Sequence, residues 1–132
     1  MFLNKLSNNE KNAFLELAHY IARSDNDFSD KQKAIIQTYC LEMQINNIDF
    51  NQSSFEIKSV LENFKTENSQ KIILLELMAL VYSDNILHDK ERDVLNQIIE
   101  IFNFNPALLN VYSEWTKSIL AITAQGQALL EL

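Results

Sequence analysis

Apolar residues recur at the three- and four-residue spacing of an α-helix along almost the whole chain. In the first half, each helical stretch follows a start signal, a serine with a glutamate or glutamine three positions later. Ser7 with Glu10, Ser29 with Gln32, and Ser53 with Glu56 predict the starts of the first three helices. The first two of these helices are expected to bury Phe14, Leu17, Ala18, Ile21, Ala22, Ile35, Ile36, Tyr39, Cys40 and Met43.

Helical spacing resumes after a polar run at residues 65–70 and predicts three more helices. We place the fourth helix over about residues 69–82 and the fifth over about residues 88–103. Asn105 as N-cap and Pro106 in the first helical position predict the start of the sixth, and Gly126 is expected to weaken its end. The chain has one glycine and one proline, which disfavours a turn-rich β fold. The prediction is a single all-α domain of about six helices spanning residues 1–132.

The second half of the chain repeats the first with an offset of 59 positions. Residues 24–31 read SDNDFSDK, and residues 83–90 read SDNILHDK. From residue 24 to residue 61, 11 of 38 positions are identical to those 59 further along, and the apolar positions agree in phase. We therefore predict two pseudo-symmetric three-helix units, at about residues 7–64 and 69–123.

Each copy of the repeated segment forms a short corner between two helices. Asn26 and Asn85 are the residues best suited to the left-handed conformation that such a corner needs. In each corner one apolar residue, Phe28 or Leu87, is expected to pack into the core. Ser29 and His88 then fall at the N-cap positions, with Gln32 and Glu91 three residues on.

Charge and composition narrow the classes of partner. The formal net charge of −7 disfavours nucleic acid and anionic lipid and favours a divalent cation or a basic protein. Cys40 is the single cysteine and cannot form an internal disulfide, which fits a reducing compartment. We expect no signal peptide and no membrane-spanning segment, and hence a cytoplasmic protein. The sequence has no catalytic triad motif, phosphate-binding loop or paired thiols.

The corner segments resemble the signature of the TerB-like (tellurite-resistance TerB) family. In that signature an apolar helix is followed by Asp-Gly, an aliphatic residue, a small cap and a glutamate, and residues 84–91 match it with Asn85 in place of the glycine. Residues 25–32 match it with Asn26 for the glycine and Gln32 for the glutamate. The resemblance implies a helical, non-enzymatic domain of bacterial stress and toxic-anion resistance. It also implies divalent-metal binding at acidic clusters, scaffolding of partners and association with membrane-bound complexes.

The acidic side chains of the corners are candidate metal ligands. Carboxylate oxygens are the ligands that calcium and magnesium prefer. We expect a weak calcium or magnesium site at one or both corners, and we do not expect the spacing of an EF-hand loop. The candidate ligands are Asp84, Asp89 and Glu91 in one corner and Asp25, Asp27 and Asp30 in the other. The alternative is that these residues only cap helices.

Three other features carry weaker functional hypotheses. Glu16 and His19 have the spacing of a di-metal half-site, but the chain has only two histidines and no second such pair. Glu76 interrupts the most apolar stretch, and we expect it on a narrow exposed strip; the alternative is a buried acid paired with a lysine, arginine or hydroxyl. Trp115 and Tyr112 offer either a partner-binding face or packing in the core or in a dimer.

Taken together, these patterns predict a non-enzymatic TerB-like module that binds a protein partner, with no required cofactor. The alternative is a small acidic helical inhibitor or immunity-type protein that captures a basic partner. The oligomeric state stays open.

Overall fold

The computed structural model describes residues 1–83 and 86–132, and all regular structure in these ranges is helical. A short 3₁₀ helix at Leu3–Lys5 precedes six α-helices. These are α1 (Asn8–Ala22), α2 (Asp30–Met43), α3 (Ile57–Leu61), α4 (Glu67–Val81), α5 (Asp89–Ile101) and α6 (Leu108–Leu130). The all-α prediction is confirmed. No helix in the described ranges is both long enough and apolar enough to cross a bilayer.

The first two helices of each half keep the spacing of the repeat. Helices α1 and α4 begin and end 59 positions apart, and α2 and α5 begin 59 positions apart. Beyond α2 and α5 the chain turns at Gln44 and Asn103, whose φ angles are 57° and 60°. The amides of Ile45 and Phe104 then donate back to carbonyls of the last helical turn, at 3.1 and 3.0 Å. Both helices therefore end in the same left-handed cap.

The third helices of the two halves differ. Helix α3 has 5 residues and α6 has 23, so the third helices do not share the 59-residue spacing. A twofold relation between complete three-helix units thus stays a prediction.

The core is centred on α1 and α4, which contact each other. Helix α1 also contacts α2, α3 and α5, while α4 contacts α2, α5 and α6, so each central helix touches the flanking helix of the other half. Fully buried side chains on the central pair include Phe14, Leu17, Ile21, Ile73, Leu74 and Leu77. Burying each contributes about 1.5–3 kcal/mol, which makes this pair the main apolar contribution to stability.

Local capping explains which predicted boundaries were right. The boxes at Ser7 and Ser29 are both formed. The predicted start near Ser53 is wrong, because the Ser53 amide donates to the Asn51 side chain (3.1 Å) and α3 is capped by Glu56 instead. Helix α4 begins two residues before the predicted Ser69, since the Thr66 hydroxyl accepts the Ser69 amide at 3.1 Å.

The last helix continues beyond Gly126, which was expected to weaken its end. The Asn105 side chain accepts the Ala107 amide (2.9 Å), as expected of a cap, and regular α-helix begins at Leu108. Gly126 lies within α6, which continues to Leu130, and residues 121–132 are exposed. Trp115 is 40% exposed and its ring lies 6.4 Å from that of Phe2, so it lies at the surface and outside the core.

Glu76 is buried, so its expected position on an exposed strip is wrong. Its side chain accepts hydrogen bonds from the α-amino group of Met1 (2.9 Å) and from the amide of Phe2 (2.7 Å). Glu42 accepts from the same α-amino group (2.7 Å) and from the Leu3 amide (2.8 Å). Burial lowers the pKa of this amino group, but the two carboxylates outweigh that effect and raise it above 8.0. A buried acid here needs donors, and the N-terminal segment supplies them.

We expect Glu76→Ala to lower the free energy of unfolding by about 1.5–3 kcal/mol, because it leaves the Phe2 amide without its acceptor. Urea denaturation of both proteins measures this change. The matched control is Glu100→Ala, which removes an exposed glutamate of α5 and should change stability by less than about 0.5 kcal/mol. Equal stabilities of the two variants would contradict the prediction.

Candidate metal centre at the junction of the two corners

The first corner joins α1 to α2 with the conformation that its sequence predicts. Asn26 has a φ of 62°, in the left-handed region. Asp25 accepts the Asp27 amide through Oδ1 at 3.1 Å, which closes the turn and leaves Oδ2 outside this hydrogen bond. Phe28 is half-buried against the core, as expected. The corner therefore holds the Asp25 carboxylate in a defined position.

The second corner leads into α5, and its residues Asp84 and Asn85 lie outside the described residues. His88 is the N-cap of α5, and its backbone amide donates to Oε1 of Glu91 at 3.2 Å. Leu87 packs partly against the core. Glu91 is fully buried at 0% exposure, on the first turn of a helix where the dipole favours a carboxylate.

The two corners meet through residues that the repeat relates. The Gln32 side-chain amide donates to Oε2 of Glu91 at 3.2 Å, and the two residues are 59 positions apart. Gln32 is itself buried, and its Oε1 accepts the Ser29 amide at 3.1 Å. This chain of hydrogen bonds orients the Glu91 carboxylate from the opposite corner, as outer-shell groups orient metal ligands.

Three side chains from the two corners converge at this junction. One ligand atom each of Asp25, His88 and Glu91 can be chosen so that all lie within 4.8 Å of one another. His88 Nε2 lies 4.0 Å from Oδ2 of Asp25. Ligands of one zinc ion are about 3.3 Å apart for bond lengths near 2.0 Å, so a cation would draw these side chains slightly closer.

The donor chemistry differs from the calcium or magnesium site that the sequence predicted. Two carboxylates and one imidazole suit zinc or another first-row divalent metal, whereas calcium and magnesium prefer ligands that are all oxygen. The sequence predicted His88 as the N-cap of the fifth helix. Its role at the junction depends on the two corners packing together, which no local pattern encodes.

The other predicted ligands are not part of this cluster. Asp27, Asp30 and Asp89 are exposed, and Asp30 lies 3.7 Å from the Lys33 ammonium. Asp84 lies outside the described residues. Among the residues that the structure describes, Asp25, His88 and Glu91 are the one group of this kind. Of the six predicted ligands, Asp25 and Glu91 thus meet at the junction of the two corners, and a metal site there stays a prediction.

His19, the other metal candidate, has both ring nitrogens engaged. Its Nε2 lies 2.8 Å from the Asn47 side-chain oxygen, and its Nδ1 lies 3.4 Å from Nη2 of Arg23. Because arginine only donates, Nδ1 is the acceptor and Nε2 carries the proton. The ring is buried and stacks on Phe50 at a centroid distance of 5.9 Å. His19 is therefore a packed residue, which agrees with the weak di-metal signal.

Burial lowers the pKa of His19 below 6.5; the Asn47 hydrogen bond opposes this shift, and the charge of Arg23 adds to it. The unfolded chain thus binds the proton more tightly, and folding stability should fall as the pH drops below about 6.5. The loss due to one such group reaches at most about 1.4 kcal/mol per pH unit.

Urea denaturation between pH 7 and pH 5 tests this expectation. His19→Gln should show a shallower dependence on pH than the native chain. His88→Gln, which removes the only other histidine, is the control and should keep the part that His19 contributes. Parallel profiles of the native chain and His19→Gln would contradict the assignment.

Comparisons of the chain with models of known protein families, with curated proteins and with solved structures give no match. The resemblance of the corner segments to the TerB-like signature therefore supports a functional proposal without assigning the chain to a family.

Proposed function

We propose that this chain is a non-enzymatic, TerB-like module of bacterial stress or toxic-anion resistance, which binds a protein partner and holds a divalent cation at Asp25, His88 and Glu91. The observation that carries the proposal is the convergence of these three side chains from two separate corners. The likeness of residues 84–91 to the TerB-like signature supports the same reading.

The junction is suited to a cation because hydrogen bonds hold the Glu91 carboxylate in place before an ion binds. Glu91 is buried and held by donors from Gln32 and from the His88 backbone. Asp25 and His88 are partly exposed, at 16% and 39% of their side chains, which leaves the ion a route from solvent. A preorganised ligand loses little conformational entropy on binding.

A cation at this position would link the two halves of the chain. Asp25 follows α1, and His88 and Glu91 begin α5, so the ion would tie the end of one helix to the start of another. The corners around it expose Asp27, Asp30 and Asp89. A partner that contacts this surface would be coupled to the ion, and each would change the affinity of the other by the same factor.

The second candidate function is an acidic inhibitor or immunity-type protein that captures a basic partner. The net charge of −7 and the exposed aspartates of the corners favour it. For such an inhibitor, the acidic surface attracts the basic partner directly by long-range electrostatics. The affinity for the partner then depends on salt but not on a bound ion.

We expect zinc to raise the melting temperature of the chelator-treated protein by about 10 °C at a free concentration of 100 times its dissociation constant, since such binding adds about 2.7 kcal/mol. Calcium and magnesium should act more weakly. Differential scanning fluorimetry and calorimetry measure the response. Glu91→Gln and Asp25→Asn should abolish it.

The matched control for this titration is Asp30→Asn, which removes an aspartate of the same corner that lies outside the cluster. It should respond to zinc as the native chain does. An absent response in the native chain, or an undiminished response in Glu91→Gln, would refute the metal site.

Calorimetry with the products of neighbouring genes separates the two functions. For a cation-dependent module, we expect a chelator to weaken partner binding about 5- to 150-fold, the usual range of coupling between sites, and Glu91→Gln to have the same effect. For the acidic inhibitor, the chelator should leave the affinity unchanged while added salt weakens it. Unchanged affinity with chelator would therefore favour the second function.

A further inference from the structure

A polar cleft of about 380 Å³ opens beside the first corner, and Asp25, His88 and Glu91 are not among the residues that line it. The end of α1, the connection before α3 and the first turns of α5 form its walls. Its lining is Tyr20, Arg23, Ser24, Asn26, Gln52, Lys90, Asp93, Val94 and Gln97. The volume lies within the range of small-molecule sites.

The guanidinium group of Arg23 lies against two aromatic rings at this cleft. Its guanidinium carbon lies 4.4 Å from the centroid of the Phe28 ring and 5.5 Å from that of Phe50. Its Nη2 contacts His19 at 3.4 Å. Contacts on two rings and on His19 limit the positions that the guanidinium group can take, which favours preorganisation of its remaining donors.

The remaining donors of Arg23 are not used within the described part of the chain. Its Nε is buried with no hydrogen-bond partner there, and no carboxylate of the described residues lies within 4 Å of the guanidinium group. A buried donor without a partner costs free energy, and such groups are rare in folded proteins. An arginine without an acidic partner is notable in a chain of net charge −7.

Lys90 brings a second cation to the same cleft from α5. No carboxylate in the described residues forms an ion pair with it, and Asp93 is the one acidic residue of the lining. Gln52 and Gln97 add side-chain amides that can donate. The cleft therefore concentrates cationic and neutral donors on an otherwise acidic surface.

We propose that this cleft binds a small molecule through an oxyanion, with a phosphoryl or carboxylate group recognised by Arg23 and Lys90. The planar fork of an arginine matches two oxygens of such a group, and a lysine adds a point charge. This site takes an anion, whereas the corner junction takes a cation, so either can exist without the other.

Binding of inorganic phosphate and of acetate to the chelator-treated chain, followed by amide chemical shifts in NMR and by calorimetry, tests the proposal. We expect saturable binding with shifts centred on Arg23, Gln52 and Lys90, and the stronger of the two probes identifies the oxyanion. Arg23→Gln and Lys90→Gln should each weaken binding about tenfold or more.

The matched control is Lys31→Gln, because Lys31 is the repeat counterpart of Lys90, lies on the first turn of α2 and does not line the cleft. It should bind as the native chain does. Arg23 also packs on Phe28, so the exposed Lys90 variant decides the outcome where Arg23→Gln fails to fold. The absence of saturable binding to both probes, or equal affinity in Lys90→Gln and Lys31→Gln, would overturn the proposal.

Discussion

The buried hydrogen bond between Gln32 and Glu91 fixes how the two corners of this chain meet. Each residue occupies the third position of its helix and uses one oxygen to cap that helix, through the amides of Ser29 and His88. The remaining amide of Gln32 then donates to the remaining oxygen of Glu91. Two carboxylates at this distance would repel in a buried site, so the pair works because one member is neutral and donates. Gln32, which replaces the glutamate of the signature in the first copy, thus positions the carboxylate of Glu91 in the second.

Both candidate sites depend on the contact of α1 with α5 and on the hydrogen bond that joins the starts of α2 and α5. On one side of the contact, Asp25 approaches His88 and Glu91. On another, Arg23 and Lys90 come to line the same cleft. Each site combines a residue at or just after the end of α1 with residues at the start of α5. Neither site is therefore complete within one half of the chain. Both candidate sites therefore lie where the two halves touch.

Features determined by neighbours in sequence were predictable, and features determined by distant neighbours were not. The caps at Ser7 and Ser29 and the left-handed Asn26 were predicted correctly, because the interacting groups lie within four residues. The predicted cap at Ser53 was wrong, since Asn51 offered a competing local acceptor. Glu76 was misplaced because its donors are the first two residues of the sequence, 75 and 74 positions away. The approach of His88 to Asp25 was missed for the same reason, since the two residues meet only in the folded junction.

The differences between the two copies account for the chemistry better than their similarities do. The features that the copies share form the frame: the helix spacing of 59 and the left-handed caps, which are Gln44 in one copy and Asn103 in the other. The functional candidates are mainly positions at which the copies diverge. His88 stands opposite Ser29, Glu91 opposite Gln32, and Arg23 opposite Tyr82. At Tyr82 the nearby cation is instead Lys117, whose ammonium lies 5.4 Å from the ring centroid. Because the frame holds the two related corners in contact, a substitution in either corner changes a side chain that faces the other corner. Each corner can therefore contribute different residues to one shared site.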